Sequence, residues 1–230
     1  MKNLIVFLFL MLGVGGSLPA QSNVKSYSFK QGEVLDILLL SAKPNYDSLF
    51  AIYRKTAFPV AMRMSYTPIP GYRIKEYTQG NFQPESFILG KWASLAKREQ
   101  FLAEIETHVP DFHQQRRNIF KNFHLTYYEM PTDISFEIDK GKMIVATAYW
   151  QSEDQSFQRF QKQWLKAAKR AKGKTVLNLA HGKSPFGYFY QPDWMTITEW
   201  ESPAAFEAFQ AKVNKLGSDG LQHVNQFILQ

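Results

Sequence analysis

Two stretches of the chain, 108 positions apart (92 to 200), carry the same landmark side chains: Trp92-Ala-Ser94-Leu-Ala-Lys-Arg-Glu-Gln-Phe101 and Trp200-Glu-Ser202-Pro-Ala-Ala-Phe-Glu-Ala-Phe209. Trp, Ser and Phe recur at one spacing. The same offset sets Ser48 with Ser156, Leu49 with Phe157 and Ile52 with Phe160. Ser28-Phe29 ahead of Gly32 also resembles Ser135-Phe136 ahead of Gly141, with a two-residue difference in length. Matches in one order and at a shared offset mean a duplicated unit, and each copy must be a fold that roughly 100 residues can complete. The copies are expected at residues 27–130 and 134–230, divided at the turn-like Met130-Pro131-Thr132-Asp133.

Within each copy the apolar period switches between strand and helix. In the first, 34–41 reads as a buried strand. A helix is expected from about Asp47, with Leu49, Phe50 and Tyr53 at helical spacing and Pro59 ending or kinking it. Strands follow at 72–78 and 86–92. Ser94 is placed to cap a second helix that buries Phe101, Leu102 and Ile105, and 123–130 closes the copy. In the second copy, 143–150, 175–181, 195–200 and 223–229 read as strands. The helix at 154–171 puts Phe157, Phe160, Trp164 and Ala168 on one face. Ser202 caps the next helix, with Pro203 at its first position, where a missing N–H costs nothing. Its buried face is Phe206, Phe209 and Val213, and Gly217 and Gly220 end it. The order βαββαβ is ferredoxin-like, in the α+β class: a four-stranded antiparallel sheet with both helices on one face. Ile37-Leu38-Leu39-Leu40 and Ile144-Val145-Ala146 are apolar on successive residues, as strands buried on both faces are. The bare face of each sheet is therefore expected to pack on the sheet of the other copy.

Residues 1–20 read as an export leader. Lys2 gives a positive start, Leu4 to Val14 an almost unbroken apolar run, and Ala20 a small residue suited to cleavage before Gln21. The run is shorter than the ~20 residues a membrane helix needs, and no later segment is apolar enough, so no membrane span is expected. The mature chain is expected in a periplasm or outside the cell. The absence of Cys excludes disulfides, thiolate metal sites and a lipid-modified cysteine. Net charge is +7, and much of it falls on Arg159, Lys162, Lys166, Lys169, Arg170, Lys172 and Lys174. Most of these lie opposite Phe157, Phe160 and Trp164 on the helix. Such a face is either solvated or meets an anionic surface. Export and the lack of a recognised motif leave no role for nucleic acid.

A strand ending in Trp, a Ser cap and a helix with Phe nine residues after the Trp resemble the dimeric α/β-barrel superfamily. That group includes antibiotic-biosynthesis monooxygenase-like, haem-degrading and stress-responsive barrel proteins, and the likeness spans nearly all of 27–230 taken as two units. Members pair two chains. The resemblance implies that the fused copies here form the pair within one chain, with assembly into a higher oligomer left open. It also implies a pocket in each unit, between the sheet and its helices, of the kind members use for small aromatic or apolar molecules or for haem. Haem-degrading members place a second Trp where this chain has Phe101 and Phe209. Their haem-ligating His comes about two turns later, where Asp111 and Asp219 fall nearest, with His113 two residues beyond Asp111. The expectation is an exported protein that binds a small apolar or aromatic molecule with no cofactor, as a cofactor-independent monooxygenase-like enzyme. The alternative is a non-catalytic module that binds haem, another hydrophobic ligand or an anionic surface.

The polar residues that such a pocket could use are few. His181, three residues after Asn178 at a strand end, is the candidate general base, since imidazole titrates near neutral pH. Arg116, with Arg117 beside it, suits a carboxylate, because the guanidinium fork pairs with it through two bonds. Tyr127 and Tyr128 alternate across a strand, so one of them enters an interior. Tyr188 and Tyr190 belong to the aromatic stretch 186–190, suited to a lid or ligand platform. His113 and His223 complete the ligand-binding candidates. His108, His113, His124 and Asp111 match no metal-site spacing, so no metal is expected. Trp92 and Trp200 recur in both copies and are expected to be core.

Overall fold

The computed structural model describes residues 23–217 and 219–230; the expected leader lies outside them. The first half of the chain forms β1 (Val24–Phe29), β2 (Val34–Ala42), α1 (Asp47–Arg63), β3 (Thr67–Gln79), β4 (Ser86–Trp92), α2 (Leu95–His108), α3 (Phe112–Ile119) and β5 (Phe120–Glu129). The second half forms β6 (Ile134–Asp139), β7 (Met143–Gln151), α4 (Asp154–Arg170), β8 (Lys174–Ala180), β9 (Trp194–Trp200), α5 (Pro203–Val213), a single 3-10 turn (Asn214–Leu216) and β10 (Leu221–Leu229).

The main sheet has eight strands in the order β5-β2-β4-β3-β10-β7-β9-β8. Either half of that order is the antiparallel ferredoxin-like arrangement, and together they make a dimeric α/β barrel within one chain. Its inner face is one apolar core. Leu35, Ile37 and Leu39 of β2 meet Ile144, Ala146 and Ala148 of β7 there. Both strands are thus covered on both faces, as their unbroken apolar runs require. On the outer faces, α1, α2 and α3 cover the first half around Tyr53, Phe101, Ile105 and Phe112. Helices α4 and α5 cover the second around Phe160, Trp164, Phe206 and Phe209. Two short strands outside the βαββαβ order, β1 and β6, pair antiparallel, with Tyr27 opposite Phe136 and their rings stacked at 4.9 Å. Tyr27, Phe29 and Ile138 join the central core.

The caps sit as the sequence indicates. The Ser94 and Ser202 side chains accept from the backbone N–H of Lys97 and Ala205. Trp92 and Trp200 are buried. Along α4, Lys162, Lys166, Lys169 and Arg170 are exposed on the face opposite Phe160 and Trp164. Three expectations need correction. Pro59 does not end α1, which runs on to Arg63. Burial of Tyr53, Ala57, Val60 and Ala61 along that helix outweighs the one backbone bond that proline forfeits. The two first helices also correspond one residue out of the expected step. Tyr53, Ala57 and Ala61 take the places of Phe160, Trp164 and Ala168, whereas Leu49 and Ile52 are 39% and 51% exposed. Between α2 and β5 the chain forms α3, an α-helix with no counterpart among the described residues of the second half.

The two seams between the halves differ. At one, β3 runs for 13 residues, pairing with β4 through its first part and with β10 through Ile74 to Gln79. At the other, the corresponding strand β8 is only 7 residues long. It stops where His181 takes a left-handed backbone (φ 58). Beyond it the chain touches β5 at two isolated bridges, Tyr127 with Lys183 and Leu125 with Phe189. The sheet is therefore not closed, and the irregular stretch 181–190 lies across the gap.

Candidate functional site

On α3, Phe112, Arg116 and Ile119 share the buried face at helical spacing. Arg116 thus occupies a position where the pattern calls for an apolar side chain, and it is only 8% exposed. Its Nε donates to Tyr53 Oη (2.9 Å) and its Nη1 to Tyr188 Oη (2.8 Å). The guanidinium lies over the rings of Phe112 and Phe123, 4.1 and 4.2 Å from their centroids. Among the described residues, none of the ion pairs includes Arg116. Burial presses against its charge, but the phenol oxygens of Tyr53 and Tyr188 more than offset this, so the group stays cationic.

Tyr188 links this cation to His113, whose Nδ1 lies 2.9 Å from Tyr188 Oη. With Arg116 donating to the phenol oxygen, the phenol proton is free to point at Nδ1, which then accepts. That arrangement needs a neutral imidazole, and burial together with the Arg116 charge holds His113 below its ordinary range. Beside these groups lies a cleft of about 340 Å³, lined by Glu99, Leu102 and Ala103 of α2, His113, Tyr127 and the loop residues Pro185, Phe186 and Tyr188. Tyr127 donates to Glu99 (3.2 Å) across it.

A second polar group lies deeper in the same layer. Asp36 on β2 accepts from Trp92 Nε1 (2.9 Å) and from Arg98 Nε (2.8 Å), all three being buried. Burial pushes the Asp36 carboxyl up, against the pull of Arg98, Trp92 and Arg116. The Arg98 guanidinium in turn stands 5.0 Å from the Tyr127 ring centroid. A polar core thus backs the cleft.

The structure brings four of the sequence candidates together: His113, Arg116, Tyr127 and Tyr188. Tyr190, buried in the central core, and His223 stand apart, around Asn225. The Tyr190 hydroxyl meets Asn225 Nδ2 (3.4 Å), His223 Nε2 is 3.1 Å from Asn225 Oδ1, and Trp150 stacks edge-on against Tyr190. His181 is exposed at the turn that ends β8. Tyr53, Asp36, Arg98 and Glu99 were missed. For Asp36 and Arg98 the signal was present, since each interrupts an otherwise apolar face. Among the described residues no three His, Asp or Glu side chains converge as a metal site would need, and no helix is long and apolar enough to cross a membrane.

The positions where haem-degrading members of the resembling superfamily carry a second Trp are core in this chain. Phe101 is packed between Trp92 and Phe112, at 5.1 and 5.7 Å. Phe209 is packed on Trp200 and Trp164, at 4.5 and 5.1 Å. His108, the one histidine on α2, is exposed.

No family model and no curated protein sequence matches the chain. Solved structures do resemble it at low identity. An anthrone oxidase-like protein is 14% identical over 90% of this chain and 94% of its own, with a TM-score of 0.47. A variant of the chlorite dismutase from Candidatus Nitrospira defluvii is 10% identical over 88% and 92%, with a TM-score of 0.49. A monooxygenase-like protein from Lactobacillus acidophilus NCFM is 9% identical over 87% and 94%, with a TM-score of 0.40.

Proposed function

We propose that the protein is exported and binds one small aromatic or apolar molecule per chain, in the cleft between α2, α3, β5 and the 183–188 loop. The observation that carries this is the lining: Leu102, Ala103, Tyr127, Pro185, Phe186 and Tyr188 offer apolar and aromatic surface, with His113 as one polar anchor. Binding sites for small molecules are of this kind, mostly apolar with a few placed polar groups. His113 is also the group that could take a proton from a bound acid, at Nδ1 once the Tyr188 hydroxyl turns away from it, which is the step a cofactor-independent oxygenase would need. The export part rests on Lys2, the apolar run 4–14 and Ala20.

Native mass spectrometry of the purified protein tests the binding directly. The expected result is one retained small molecule per chain, lost in Ala103→Trp, where the indole fills the cleft from the exposed face of α2. A ligand retained equally by wild type and Ala103→Trp would place binding elsewhere. For export, the N-terminus of the protein from its native host is expected at Gln21; an intact Met1 would overturn that part.

A further inference from the structure

Arg116 is a buried cation whose two hydrogen bonds go to neutral phenols. A guanidinium taken out of water is costly unless it meets a partner that matches its charge. The acid whose charge it reaches across the core, Asp36, already spends its oxygens on Arg98 and Trp92. Phenol oxygens are weak substitutes, because hydrogen bonds between two charged groups are roughly twice as strong as neutral ones. The two phenols are held by Nε and Nη1, so of the fork formed by Nη1 and Nη2 only one tine holds a phenol.

The phenol on that tine belongs to the least regular part of the barrel. Tyr188 sits in the 181–190 stretch, the counterpart of the half of β3 that is firmly paired with β10. It is held to β5 by three backbone bonds, between Tyr127 and Lys183 (2.8 and 2.9 Å) and from Leu125 to Tyr188 (3.3 Å). Gly187, next to Tyr188, takes a left-handed backbone (φ 87) with open space around it. The rings on either side, Phe186 and Phe189, are 94% and 71% exposed. Tyr188 itself is buried against Phe123 and His113 (5.2 and 6.1 Å), so moving it outward gives up those ring contacts, but its ring already lines the cleft and its neighbours are open to water.

We propose that Arg116 is an anion subsite of this cleft, and that the aromatic ligand carries a carboxylate which displaces the Tyr188 hydroxyl and takes the guanidinium fork. Tyr188 is then a gate: it satisfies Arg116 in the empty protein and yields to a stronger acceptor. Tyr53 keeps Nε occupied and holds the fork in place, and Phe112 and Phe123 fix the plane of the guanidinium. The displaced hydroxyl also releases His113 Nδ1 towards the ligand. This proposal rests on the cleft being the ligand site, and its test separates the two.

Calorimetric titration with matched acids and amides is decisive: benzoate against benzamide, and 2-naphthoate against 2-naphthamide. In the wild type each acid is expected to bind at least about tenfold more tightly than its amide, the order of a charge-assisted pair in a desolvated site. Arg116→Gln is expected to reduce that preference to under about threefold while leaving amide binding in place. Tyr188→Phe, which keeps the ring and removes the competing hydroxyl, is expected to tighten the acids about threefold or more and leave the amides unchanged. It decides the matter even if Arg116→Gln does not fold. Acids and amides binding equally in the wild type would overturn the anion subsite and leave the cleft standing. So would an acid preference that survives Arg116→Gln or is indifferent to Tyr188→Phe. Failure of all four probes to bind would overturn the cleft as the ligand site, and the subsite with it.

Discussion

The two halves of the barrel solve the same packing problem with opposite chemistry. Val34 pairs with Trp92 as Met143 pairs with Trp200, so Asp36 corresponds to Val145, and Arg98, six residues after its Trp, corresponds to Phe206. In the first half the Trp92 indole donates to Asp36, which in turn holds Arg98. In the second half Trp200 is enclosed by Phe206 and Phe209 at 5.6 and 4.5 Å, and its Nε1 has no hydrogen-bond partner among the described residues. One layer is a hydrogen-bonded polar core beside a cleft; the other is filled with aromatic rings. A duplicated fold allows this division, because one copy can carry the stability while the other accommodates costly buried charge.

The sharpest way to break the comparison is to write the second half's residues into the first. Asp36→Val alone leaves Arg98 buried without its carboxylate, and should cost about 3–5 kcal/mol by chemical denaturation. Adding Arg98→Phe removes the orphaned charge and should restore most of that loss, since well-packed apolar groups often replace a buried ion pair at no net cost. If the double substitution is as damaging as the single one, the polar core is required by the backbone there, and the halves are not interchangeable.

How far these differences could be read in advance depended on what kind of signal they left. The βαββαβ order, the two Ser caps and the doubly buried β2 and β7 were legible because each is a local pattern. The burial of Arg116 was less so. A lone Arg in a helix such as 112–119 reads as a surface charge until the partners, Tyr53 and Tyr188, arrive from 63 and 72 residues away. The extra helix α3 was missed because its eight residues are mostly polar and its apolar face is only Phe112 and Ile119. The one-residue shift between α1 and α4 arose because Ser48 matches Ser156 in type, while burial follows Tyr53 and Phe160.

The interrupted seam offers a smaller test. A Cβ at Gly182 would meet the Thr126 and Tyr128 side chains at 2.6 Å, so the backbone there must approach β5 closely. Gly182→Ala should cost about 1–3 kcal/mol as overpacking and should weaken ligand binding in the cleft, because the strain falls on the segment that carries Tyr188. Lost stability with unchanged binding would mean that the seam and the cleft are mechanically separate.

The caps test whether the halves differ in stability or only in chemistry. Ser94→Ala and Ser202→Ala each remove one equivalent capping bond and should each cost about 1 kcal/mol. Equal shifts in a single denaturation transition would show that the shared central core makes the two halves one cooperative unit. Two separate transitions would show that it does not.

The smallest expected effect belongs to His113 and has a definite sign. Burial and the Arg116 charge lower its proton affinity in the folded protein, with Arg117 adding to this and Glu106 opposing it. In the unfolded chain it titrates near 6.5. Between those two values the unfolded chain binds the proton and the folded one resists it, so stability is present above about pH 6.5 and is lost as pH falls below it. His124, also lowered by burial, contributes in the same direction, so only the difference between wild type and His113→Asn isolates the residue. Comparing denaturation midpoints at pH 7.5 and 5.5, the wild type should lose more stability than His113→Asn. A proton on Nδ1 would also deprive the Tyr188 hydroxyl of its acceptor, loosening its hold on α3. An equal loss in both proteins would mean that His113 is not held neutral by Arg116, and that the bond to Tyr188 runs in the other direction, with the imidazole as donor.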